Sequence, residues 1–76
     1  MEDFIKTVVQ ALVDSPDEVE LEETIDERGA VYEVRVAPAD LGKVIGKGGQ
    51  TVRSLRTLIS AIAAKHGKRV ALEIRE

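Results

Sequence analysis

Four of the six glycines fall in one stretch, Gly42-Lys43-Val44-Ile45-Gly46-Lys47-Gly48-Gly49, and that stretch lies between two helical patterns. Leu41, Val44 and Ile45 give one apolar helix face before it. After it, Val52, Leu55, Ile59 and Ile62 step by three and four, with Leu58 alongside. No helix continues through Gly46-Lys47-Gly48-Gly49, because each interior glycine costs about 1 kcal/mol relative to alanine. The chain must therefore bend sharply there and restart as a second helix, predicted from about 50 to 65 and closed by Gly67.

Two phosphate-binding motifs fail on this stretch. A G-x-x-x-x-G-K-[ST] loop needs four residues between its glycines and a hydroxyl after the lysine. Here three residues separate Gly42 from Gly46, and Gly48 follows Lys47. A dinucleotide G-x-G-x-x-G match beginning at Gly46 requires glycine where Thr51 stands, and the stretch follows a helix rather than a strand. What remains is G-x-x-G, Gly46 to Gly49, opening directly onto a helix. Glycines without Cβ let a phosphate or ribose approach the main chain, and the free N–H groups and positive dipole end of the helix attract anions. Lys47 adds charge at the tip, Lys43 precedes the bend by about one turn, and Arg53 follows it by one turn.

The remaining segments define the architecture. Phe4, Ile5, Val8, Val9 and Leu12 predict a helix over about 2 to 13, stopped by Asp14-Ser15-Pro16-Asp17. Val19, Leu21 and Ile25 share one parity, and Glu18, Glu20, Glu22 and Thr24 the other, as in a strand with one buried and one wet face. Glu23 breaks the inward set and predicts a bulge or fraying. Asp26-Glu27-Arg28-Gly29 is a turn, after which Tyr32, Val34 and Val36 resume alternation, giving a hairpin. Pro38 suits a first helical turn. Val70, Leu72 and Ile74 alternate as the last strand. The order is αββααβ, an α+β fold with a mixed three-stranded sheet and helices packed on one face: an antiparallel hairpin, then a parallel pair joined by the helical crossover.

Charge is divided along the chain. From Met1 to Asp40 there are 12 acids and 3 bases, and from Leu41 to Glu76 there are 2 acids and 8 bases, about −9 and +6 within a formal total of −3. A polyanion would meet the second half. With no Cys and one His, thiolate chemistry and a multi-histidine metal site are excluded, and no cofactor is expected. The acidic start Met1-Glu2-Asp3 does not read as an export signal, and the apolar run Leu58 to Ala64 is broken by Ser60, so no membrane partner is expected. Glu18, Glu20 and Glu22 read as a solvated strand face rather than a catalytic pair, which needs burial. His66 reads as a favourable charge at a helix C-terminus. No nucleophile, base and cleft can be named, so neither an enzyme nor a small-molecule substrate is expected. Tyr32 and Phe4 are predicted in the core, leaving no aromatic platform for stacked bases.

V-I-G-K-G-G-Q-T-V, set between α-β-β and a final β, resembles a KH domain of type II, and over the whole chain the small bacterial single-KH proteins of the KhpA family. KH domains hold about four single-stranded nucleotides with a GXXG loop. The resemblance implies one KH domain over 1–76, with 1–28 as N-terminal helix and first strand and 29–76 as the βααβ core. Residue by residue it implies RNA contacts from Gly46, Lys47, Gly48 and Gly49, with Lys43, Val44, Ile45, Gln50, Arg53 and Arg56 around them. It also implies a cytoplasmic RNA chaperone or post-transcriptional regulator acting as a homodimer or with a larger KH partner in cell elongation and cell-wall growth. The competing expectation is a protein-interaction module whose RNA contact is incidental.

Overall fold

Alternation and turn chemistry set the sheet. The computed structural model describes residues 1–76. Strand β1 (Glu20–Asp26) and strand β2 (Gly29–Arg35) form the antiparallel hairpin, and β2 lies parallel to β3 (Val70–Arg75), so the sheet order is β1-β2-β3. In the turn, the Asp26 carboxylate accepts the N–H groups of Arg28 (2.7 Å) and Gly29 (3.2 Å). The register stacks Leu21, Val34 and Ile74 in one row and Glu23, Tyr32 and Leu72 in the next, all on one face. Rows Glu20–Arg35–Arg75 and Glu22–Glu33–Glu73 form the opposite, solvated face, where Arg75 bridges Glu33 (3.3 Å) and Glu73 (3.4 Å).

Helices α1 (Glu2–Leu12), α2 (Leu41–Ile45) and α3 (Gln50–Lys65) cover the apolar face. Ile5 and Val9, one turn apart, are fully buried, and α3 contributes Val52, Leu55, Ile59 and Ala63. Each large side chain so buried contributes about 1.5–3 kcal/mol. Gly67, at φ +70, closes α3, with its N–H on the Ala64 carbonyl and that of Lys68 on Ala63. This is the KH-type α+β arrangement expected from the sequence. No helix is long and apolar enough to cross a membrane.

Three expectations are corrected. The β1–β2 register runs unbroken from Glu20↔Arg35 to Asp26↔Gly29, so Glu23 makes no bulge. Its carboxylate accepts the Tyr32 hydroxyl at 2.5 Å, and this bond, with burial and the carboxylate's charge, pushes the Tyr32 pKa up to about 12. Ile25 keeps inward parity yet is 72 % exposed: Ala30 and Val70 of its row pack against the core, while Ile25 sits on the edge strand β1 and lines an open concavity. Phe4, expected in the core, is 38 % exposed beside it.

Asp40 is the one buried charged side chain. It follows Pro38 in a short 3-10 turn and accepts the N–H groups of Asp14 (3.3 Å) and Ser15 (3.0 Å), 26 and 25 residues away. These bonds tie the exit of α1 to the entrance of α2 and satisfy a carboxylate that would be costly to bury alone.

Candidate nucleic-acid interface

The bend between α2 and α3 is a tight turn of three glycines with distinct tasks. The Gly46 N–H donates to Gly42 O (2.9 Å), ending α2, and the Gly49 N–H donates to Gly46 O (3.0 Å), closing the turn. Gly46 has φ 79 and ψ 170, a region nearly restricted to glycine, and a Cβ there would strike Thr51. Gly48 (φ 63, ψ 20) is left-handed but open, with no atom within 4 Å of where its Cβ would be. The first glycine therefore serves the packing of the turn, and the third residue of the motif leaves its backbone accessible.

The same turn exposes donors. Neither the Lys47 nor the Gly48 N–H finds an acceptor in the protein, and no side chain caps the first turn of α3. The Lys47 ammonium is exposed and unpaired. Arg53 donates from Nη2 to Gly48 O at 3.1 Å, which fixes the bend and keeps the guanidinium beside it, outside any ion pair. Two cations, two free N–H groups and the positive end of a 16-residue helix thus converge on one small surface.

The other sequence-predicted residues divide. Gln50 is exposed at the start of α3 and Ile45 is half-buried next to the bend. Val44 is fully buried and presents no surface to a ligand, a correction to its place among the contact residues. Lys43 is held by the carboxylates of Asp14 and Asp40, the latter at 3.6 Å. The hydrogen bond to Asp14 raises the lysine pKa above its ordinary value, and the neighbouring carboxylate charges act in the same sense. Arg56 lies farther along α3, with Nε donating to Leu72 O at 3.1 Å. The segment 66–69, with His66, lies at the far end of α3 and not beside the bend; at 1.5 Å per residue the helix separates them by about 24 Å.

A second concavity, of about 950 Å³, occupies that far end. Apolar Met1, Phe4, Ile25 and Ile62 line it together with Asp26, Glu27 and Arg28 of the hairpin turn and Lys68 and Arg69 before β3. Sequence reasoning missed it because it assigned Phe4 and Ile25 to the core.

Comparison with known proteins gives a consistent result. The family model described as "KhpA/KhpB, KH domain" matches residues 2–74. The chain is 49 % identical over 76 residues to the RNA-binding protein KhpA of Aquifex aeolicus, covering 100 % of this chain and 96 % of the relative. It is 46 % identical over 74 residues to the protein of the same name from Clostridium acetobutylicum, covering 97 % and 99 %. The corresponding Chlamydia trachomatis protein is 42 % identical over 76 residues, covering 100 % and 97 %. No solved structure gives a significant match. With near-complete coverage of both partners in each alignment, the chain belongs to the KhpA/KhpB KH-domain family.

Proposed function

We propose that this protein binds single-stranded RNA through the Gly46–Gly49 bend and catalyses no reaction. The observation that carries the reading is the bend itself, where unpaired Lys47 and Gly48 N–H groups face outward beside the Lys47 ammonium and Arg53. A sugar-phosphate strand supplies the acceptors and the negative charge that this surface lacks. Membership of a family whose members are named RNA-binding proteins supports the same reading. The family resemblance extends it to a cytoplasmic RNA chaperone or post-transcriptional regulator that works with a larger KH partner in cell elongation and cell-wall growth.

Lys47 and Arg53 are the phosphate ligands in this reading, and Lys43 is withdrawn into its carboxylate pairs. Two phosphate contacts give a slope of log affinity against log salt near −1.4, using about 0.7 per contact for single strands. Titration of a fluorescent oligouridine across a salt series measures it. A slope near −2.1 would return Lys43 to the interface, and a slope near zero would remove RNA from the bend. Stacking adds nothing here, since Tyr32 is buried and Phe4 lies at the other end of α3. Affinity of a single site is accordingly modest.

The concavity at the far end of α3 favours a second reading, self-association alongside RNA binding. Its lining carries the acids Asp26 and Glu27 and the bases Arg28, Lys68 and Arg69, so two copies related by a two-fold axis could pair acid with base while covering Phe4 and Ile25. Light scattering is expected to give twice the monomer mass for the wild type and the monomer mass for the Phe4→Glu, Ile25→Glu double variant. A monomeric wild type at every accessible concentration rules the pairing out.

A further inference from the structure

Strand β1 is an edge strand with no partner beyond β2. The Ala30 and Val36 N–H groups donate to Arg69 O and Arg75 O, so Ala30, Tyr32, Val34 and Val36 turn their backbone toward β3. Gly29, Val31, Glu33 and Arg35 turn theirs toward β1, where they meet Asp26, Thr24, Glu22 and Glu20. Leu21, Glu23 and Ile25 therefore direct their main-chain groups away from the sheet, and none of their N–H groups finds an acceptor in the protein. Six of the seven residues of β1 are exposed, Leu21 alone being half-buried.

An open edge is ordinarily blunted by a bulge, a proline or a lysine, and β1 has none of these. Its only guards are acids. Glu20, Glu22 and Asp26 stand along its solvated face, none of them in an ion pair. A second copy laid edge to edge would set acid against acid, which is destabilising, whereas a strand carrying cations would be drawn in. On the other face Ile25, with Phe4 near it, lines the open concavity. A strand seated on this edge alternates its side chains between the two faces.

We infer that β1 receives an extended segment of a protein partner, with lysine or arginine at alternate positions beside Glu20 and Glu22 and apolar residues between them, on the side of Ile25. Main-chain bonds to Leu21, Glu23 and Ile25 hold the segment, and the acids select it. The same acids repel RNA. The inference goes beyond RNA binding at the bend and does not rest on it.

The probe is a capped heptapeptide of alternating lysine and valine, titrated into the full ¹⁵N-labelled chain. It is expected to bind and to protect the Leu21, Glu23 and Ile25 amides from exchange, while the same peptide with glutamate for lysine does neither. N-methylation of the valines removes the N–H groups that face β1 in an antiparallel strand, and N-methylation of the lysines removes those that face it in a parallel one. One set should abolish binding and the other spare it. The Glu20→Gln, Glu22→Gln double variant alters exposed side chains only and should bind the lysine peptide about 2- to 30-fold more weakly, the range for two cross-strand charge pairs. Neither residue lines the concavity, so this variant separates pairing at the edge from occupation of the concavity alone. Unchanged affinity in the double variant, binding that survives both methylations, binding without protection of the three amides, or no binding at millimolar peptide each overturns the inference.

Discussion

The double variant Lys47→Asp, Gly48→Asp is expected to lose single-stranded RNA binding by on the order of a hundredfold, or about 3 kcal/mol, while remaining folded. The loss has two sources. Lys47 is the unpaired cation at the tip, and replacing it removes a charge-assisted contact. The new carboxylates then stand beside the outward N–H groups of residues 47 and 48 and repel the phosphate those groups would receive. Folding should tolerate the change. A side chain at Gly48 meets nothing within 4 Å, and its left-handed φ of 63 costs about 1–2 kcal/mol, with Asp among the residues that accept it best. Anisotropy titration together with far-UV circular dichroism makes the measurement. A folded double variant that binds RNA as tightly as wild type would move the binding site away from the bend.

Much of this was legible in the chain. Tyr32, Val34 and Val36 alternate in the sequence and are buried in the fold, and the three- and four-residue steps of Val52, Leu55 and Ile59 mark the buried face of α3. Local periodicity determines these faces, so local reading finds them. It does not determine how far a face is covered. Ile25 has the right parity but sits on the edge strand β1 at the open end of its row, and Phe4 flanks the same gap. Pairing across long separations is also silent in sequence. Lys43 reads as a free cation one turn before the bend until Asp14, 29 residues away, closes on it. Asp40 reads as a helix-entry residue until two distant N–H groups converge on it. Arg56 reads as one more helical cation until β3 brings the Leu72 carbonyl to it. Each of these depends on where two remote segments meet, which spacing alone does not encode.

The glycines of the bend look alike in sequence and should respond very differently to alanine. Gly46→Ala places a methyl group at φ 79, ψ 170, where backbone strain is about 1–3 kcal/mol. It also drives that methyl to 2.7 Å from Thr51 Cβ and 2.9 Å from Thr51 N, so the first turn of α3 must shift, at a further 1–3 kcal/mol, typical of about one overpacked group. The expected total of about 2–6 kcal/mol is a large share of the roughly 4–11 kcal/mol typical of a domain this size. The melting temperature should fall by roughly 4–8 °C for each kcal/mol lost. Gly48→Ala keeps only the left-handed penalty of about 1–2 kcal/mol and should melt much closer to wild type. Thermal denaturation of the two variants side by side decides the matter: equal losses would mean that Gly46 carries no packing duty. A large difference separates the two ends of the motif by cause, with Gly46 required because the main chain leaves no room for Cβ against Thr51. Gly48 would then be free to serve what approaches from outside. Loss of RNA binding in a Gly46 variant would accordingly report a displaced helix end, and only the open half of the bend can test the contact itself.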